Sequence, residues 1–132
     1  MNKYQDLRVW QKAMELVIDV YAVTDNFPDK EKFGLVSQIN RSAVSVVSNI
    51  AEGAGRNNPR EFNQFLGIAN GSLAELETQL EISRRLKFSP MSDYETLFKL
   101  TSYIGKMIKR LQHSIKAANY KKVSEPEETY GN

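Results

Sequence analysis

Ser42-Ala43-Val44-Ser45-Val46-Val47-Ser48-Asn49-Ile50-Ala51 is a run of ten residues without a Lys, Arg, Asp or Glu, set inside a longer helical pattern. Leu35, Ile39, Ala43, Val46 and Ile50 recur at spacings of three and four, whereas strand alternation fails at Val46-Val47, so the valine-rich span reads as helix. A surface helix carries charge opposite its apolar stripe, and one without charge on any side is expected to be covered all round. A lone small bundle covers one side, so the span predicts a second copy of the chain on the other. The contact residues expected between copies are Ser42, Ser45, Val46, Ser48, Asn49 and Glu52. A buried carboxylate must be paired or protonated. Glu52 or Asn49 is therefore expected to bond across helices or to backbone, and Arg41 to pair with a carboxylate such as Glu75.

Outward from this span the helix extends back to Asp29, a capping residue after Pro28, and forward to Gly53 or Gly55, with Phe33, Leu35 and Val36 in its apolar set. A first helix is expected from about Asp6 to Thr24 on Val9, Ala13, Leu16, Val17, Val20 and Tyr21. A third opens at Asn58-Pro59-Arg60-Glu61, a capping box with proline at the first helical position. Its seam is Phe62, Phe65, Leu66, Ala69, Leu73, Leu76, Leu80 and Ser83, and Gly67 and Gly71 within it suggest close approach of another backbone or a large side chain. Ser92-Asp93-Tyr94-Glu95 reads as a second capping box, opening a helix with the seam Tyr94, Leu97, Thr101, Ile104, Ile108, Leu111 and Ile115 and an end near Ala118. Short connections make the expected fold all-α, an antiparallel up-down-up-down four-helix bundle over residues 1–118, followed by a flexible tail over 119–132.

A chain of 132 residues fits one domain. The absence of cysteine excludes disulfides, thiolate metal sites and a cysteine nucleophile. With no long apolar run and no apolar core in the first residues, a cytoplasmic protein without membrane contact is expected.

The block Ser45-Val46-Val47-Ser48-Asn49-Ile50-Ala51-Glu52-Gly53, then Gly55-Arg56, Phe62, Phe65, Ala69, Gly71-Ser72 and Glu75, resembles the four-helix-bundle proteins encoded within intervening sequences of bacterial 23S ribosomal RNA genes. Leu7, Val9-Trp10-Gln11-Lys12-Ala13 and the Phe27-Pro28 turn are similar to that family too. Val47 departs from it, standing where the family usually has proline or a smaller residue, which leaves the fold reading intact. That family is similar in turn to the accessory protein of diversity-generating retroelements, a basic pentameric barrel that binds nucleic acid. The resemblance implies a homo-oligomer, specifically a homopentamer.

Charge partition points toward nucleic acid independently. Residues 1 to 95 hold 11 basic and 13 acidic side chains, whereas Thr96 to Ser124 holds seven basic and no acidic ones. Lys99, Lys106, Lys109, Arg110 and Lys116 avoid the apolar seam of the fourth helix and are expected to project together toward phosphates, a field that a ring of copies would multiply. The plain alternative is a basic face kept for solubility. Arg56 and Arg60 flank a Gly-Ala-Gly-Arg-Asn-Asn-Pro turn and either grip phosphates or solvate the loop. Arg84, Arg85 and Lys87 close the third helix, where cations suit the helix dipole. Trp10 and Tyr21 read as core or interface filler.

Enzymatic readings find little support. His113 is the only histidine; it has no nucleophile or carboxylate at a telling spacing, and a di-iron bundle needs Glu-x-x-His pairs from two helices. Neither a phosphate-cradling glycine loop nor a hydrolase elbow is present. The expectation is a non-enzymatic oligomer binding RNA or DNA, without metal, cofactor or small-molecule substrate. The rival reading is a protein-interaction or scaffolding module.

Overall fold

The computed structural model describes residues 3–118 and 125–126. Four α-helices make up the fold: α1 (Arg8–Thr24), α2 (Leu35–Gly55), α3 (Pro59–Arg85) and α4 (Met91–Ala117). Single 3-10 turns at Tyr4–Asp6 and Asp29–Glu31 precede α1 and α2. Each helix touches two neighbours, in the cyclic order α1, α2, α3, α4. No helix among the described residues is long and apolar enough to cross a membrane.

Side-chain register gives the direction of two pairs. Ser42 meets Glu75 and Ser45 meets Ser72, while Gly53 lies against Phe62 and Phe65. Rising numbers on α2 thus match falling numbers on α3, and the pair is antiparallel. Thr101 meets Glu77, Gly105 faces Leu73 and Gln112 reaches Asn63, so α3 and α4 are antiparallel as well.

The core follows the periodicity closely. Val9, Ala13, Leu16 and Val20 of α1, Ile39, Ala43, Val46 and Ile50 of α2, Leu66, Ala69, Leu76 and Leu80 of α3, and Ile104, Ile108, Leu111 and Ile115 of α4 have no exposed surface. Asn58 caps α3 as expected, its Oδ1 accepting from the Glu61 N–H at 3.1 Å.

Several boundaries differ from the sequence reading. Residues 29–31 form a 3-10 turn, and α2 starts only after Gly34, whose backbone (φ −109°, ψ −107°) is not helical. Phe33, expected in the apolar set of this helix, is consequently 90% exposed. The fourth helix begins at Met91, not at a Ser92 cap; Ser89 Oγ donates to Asp93 Oδ2 at 2.6 Å and the Asp93 N–H to the Pro90 carbonyl. Of the α1 seam, Tyr21 is 48% exposed because the helix turns it past the groove to α2. Most of the proposed tail, 119–124 and 127–132, lies outside the described residues.

Candidate nucleic-acid interface

α4 presents two opposite lines. Ten of its residues, from Tyr94 to Ile115, are buried and bind it to α1 and α3. On the other side Lys99, Ser102, Lys106, Lys109, His113 and Lys116 are all exposed at alternating spacings of three and four, and Arg110 is exposed beside them. At 100° per residue the five expected cations occupy roughly a third of the helix circumference, and Lys99 to Lys116 spans about 25 Å along the axis. No acidic residue occurs between Thr96 and Ala118. The nearest α3 carboxylate to α4 in the bonded network, Glu77, accepts from the buried Thr101 hydroxyl at 2.7 Å.

The two loop arginines have different settings. Arg56 is held inside the chain, 3.6 Å from Glu52, 3.7 Å from Glu61 and 5.0 Å above the Phe65 ring. Arg60 is exposed on the first turn of α3. Since Gln112 reaches Asn63, Arg60 lies at the same end of the bundle as the last turn of α4 with Lys116. Arg84 and Arg85 both bind Glu81, at 2.6 Å and 2.9 Å, and hold its carboxyl down at about 2.

The uncharged span of α2 finds most of its cover within the chain. Ser42 is 4% exposed and donates to Glu75 Oε1 at 3.1 Å, Ser45 and Ser72 share a 2.8 Å hydrogen bond, and Val46 is fully buried. Asn49 donates to the Ser45 carbonyl at 2.8 Å, a bond within its own helix and not across helices. Glu52 is exposed and pairs with Arg56, so it meets no burial penalty. Glu75 takes the Ser42 hydroxyl, and Arg41 instead lines the groove toward α1. α2 needs no charge on these sides because it lies between two helices, one of which offers hydroxyls and a carboxylate. Its outward stripe is Arg41, Val44, Ser48 and Glu52.

Two features escaped the sequence reading. Gly53 lies so close to α3 that a Cβ there would come within 2.6 Å of Phe65 Cβ, whereas among the described residues nothing lies within 4 Å of a Cβ position at Gly71 and only Gln112 does at Gly67, at 3.6 Å. A groove of about 800 Å³ between the end of α1 and the start of α2 is lined by Tyr21, Phe27, Phe33, Val36 and Val44 among others. The signal for it was Gly34, which interrupts the period beside Phe33. Trp10, expected as core or interface filler, is partly buried against the core, with Tyr4 edge-on at 5.6 Å. Among the described residues no group of three or more His, Asp or Glu side chains is placed to hold a metal.

These features define a small four-helix protein whose fourth helix carries only basic charge from Thr96 onward and whose α2 and α3 pack closely around Gly53. Residues 5–110 match the model of the 23S rRNA-intervening sequence protein family, and the chain belongs to that family. It is similar to a protein of unknown function from the S23 ribosomal protein family of Bacteroides thetaiotaomicron, whose crystal structure it matches with a TM-score of 0.68 at 26% identity. The match covers 76% of this chain and 94% of that one. No curated protein matches the sequence.

Proposed function

We propose that the protein is a non-enzymatic homo-oligomer, a pentamer by its resemblance, that binds RNA or DNA through phosphate contacts. The observation that carries this reading is the exposed line of α4, with Lys99, Lys106, Lys109, Arg110 and Lys116 on one face and no carboxylate between Thr96 and Ala118. Such a line neutralises phosphates without reading bases, so sequence preference is weak and affinity falls with salt. Arg60 extends the basic end and Arg56 contributes little, being held by two carboxylates. Copies meet along the outward α2 stripe, with Ser48 and Val44 at its centre and Glu52 at its rim.

Fluorescence anisotropy with labelled RNA, single strands and duplex DNA at several ionic strengths tests the binding. The triple variant Lys106→Glu, Lys109→Glu, Arg110→Glu is expected to abolish most of it and flatten the salt slope. Unchanged binding would take α4 out of the interface, and no binding by the parent chain would leave the scaffolding reading. Light scattering tests assembly, which Ser48→Arg is expected to break while helicity is retained.

A further inference from the structure

α1 starts without a cap of its own: Leu7 precedes it, with no side-chain hydrogen bond and no acidic residue in the first turn. The missing partner comes from the far end of the chain. Glu125 Oε1 accepts from the Arg8 N–H at 2.7 Å and Oε2 from the Val9 N–H at 2.9 Å. The Arg8 guanidinium closes over the same residue, its Nε 3.8 Å from Oε1 and its Nη2 donating to the Glu125 carbonyl at 3.2 Å and to the Pro126 carbonyl. The Glu125 side chain is left only 10% exposed, against 44% for Arg8. A carboxylate this enclosed, with both oxygens on backbone donors and a guanidinium beside it, is seated and not merely near.

Seven residue steps join Ala118 to Glu125, so Arg8 lies within about 25 Å of the end of α4. Lys116 and Arg60 belong to that end of the bundle. The sequence continues with Glu127 and Glu128. We infer that Glu125 is autoinhibitory: it holds Arg8 against α1 and denies a nucleic-acid phosphate one cationic contact at the basic end of the bundle. The inference rests on the nucleic-acid reading above. A tethered carboxylate competes at high effective concentration. A polyanion displaces it only when its other phosphates are already engaged on α4, so Glu125 raises the threshold for binding and favours long ligands over short ones.

The test compares the full chain with Glu125→Ala and with the double variant Arg8→Ala, Glu125→Ala. Two readouts are used: hydrogen exchange of the Arg8 and Val9 amides, and anisotropy of fluorescein-labelled oligouridylate. The Arg8 and Val9 amides are expected to be protected in the parent and to lose protection in Glu125→Ala. One freed phosphate contact on a single strand adds about 0.7 to the salt slope, so the affinity of Glu125→Ala should fall about 2.6-fold further than the parent's between roughly 50 and 200 mM salt, after starting tighter. The double variant should return to the parent slope. Amides that exchange freely in the parent would overturn the inference, as would lost protection with unchanged affinity and slope, which makes Glu125 a helix cap alone. Absence of binding by every variant would overturn the nucleic-acid reading and the inhibitory role with it, while amide protection would still report Glu125 seated on the start of α1.

Discussion

Alanine at two glycines should shift stability in opposite directions. A methyl group on Gly53 would lie 2.6 Å from Phe65 Cβ, 3.1 Å from Phe62 Cδ1 and 3.3 Å from the Phe62 carbonyl oxygen. The Phe62 ring can turn away, but a β-carbon and a backbone carbonyl move only with α3 itself. Restoring ordinary contact therefore pushes α2 and α3 apart by most of an ångström along their closest stretch. The helix-propensity gain of alanine is about 1 kcal/mol, and overpacking of this kind costs about 1–3 kcal/mol, or more when backbone is the obstacle. Gly53→Ala is expected to lose about 1–2 kcal/mol net. At Gly71, where no atom lies within 4 Å of the new methyl, only the propensity gain remains. Gly71→Ala is expected to gain up to about 1 kcal/mol, each kcal/mol moving the melting temperature by roughly 3–5 °C in a chain of this size. Urea unfolding followed by far-ultraviolet circular dichroism at one fixed protein concentration reads both, since assembly makes stability concentration-dependent. A Gly53→Ala protein as stable as the parent would refute the close α2–α3 approach. A loss at Gly71 would mean that this open face is covered by something outside the chain.

Among the described residues the buried Tyr94 hydroxyl makes no hydrogen bond of ordinary geometry, although Ser83 lies beside it, and burial pushes its phenol above the ordinary value. Tyr94→Phe removes that polar atom and keeps the ring, so it should be neutral or stabilising by about 1 kcal/mol in thermal melts; a clear loss would reveal a hydrogen bond to the hydroxyl. Glu81 titrates at about 2 because Arg84 and Arg85 hydrogen-bond its charged form, against an ordinary value of 4.5. A depressed carboxyl stabilises the fold above its unfolded-state value and loses that contribution as pH falls from about 4.5 through about 2. The stability gap between the parent and Glu81→Gln should therefore be present at neutral pH, small because the site is exposed, and closed near pH 2; a gap of equal size at both ends would exclude the ionic origin.

What could be read from the chain alone divides by the range of the interaction. The α3 start was legible because Asn58, Pro59 and Glu61 act on one another within a single turn, and the buried line of α4 because periodicity is a property of one helix. The start of α2 was not, since Phe33 fits the period and only the backbone at Gly34 takes it out of the helix. Glycine identity marked close contacts at Gly67 and Gly71 and missed the one at Gly53, which meets α3, whereas nothing among the described residues lies within 4 Å of a Cβ at Gly71. The absence of charge over Ser42 to Ala51 corresponds to helix cover on most sides, with Val44 and Ser48 left exposed, and a sequence cannot tell a neighbouring helix from a neighbouring copy. Ser72 and Glu75 supply much of that cover from some 30 positions away. Glu125 was beyond any local pattern, its partner Arg8 standing 117 positions earlier.

The α4 line bears on function through what it costs. Lys106 with Lys109 and Arg110 are like-charge neighbours one turn apart, and each such pair destabilises a helix by about 0.2–0.5 kcal/mol at low salt. A surface kept basic merely for solubility has no need of this, because interspersed charges of both signs serve as well and add favourable pairs. Carboxylates are available in the chain and are used elsewhere, on Arg56, Arg84 and Arg85. Their exclusion from Thr96 to Ala118 leaves no opposite charge on α4 itself between Lys106 and Lys109, a cost that the ten buried residues of the helix offset. A polyanion laid along α4 would place negative charge beside Lys106 and Lys109 and offset their mutual repulsion, which is the condition the proposed function describes.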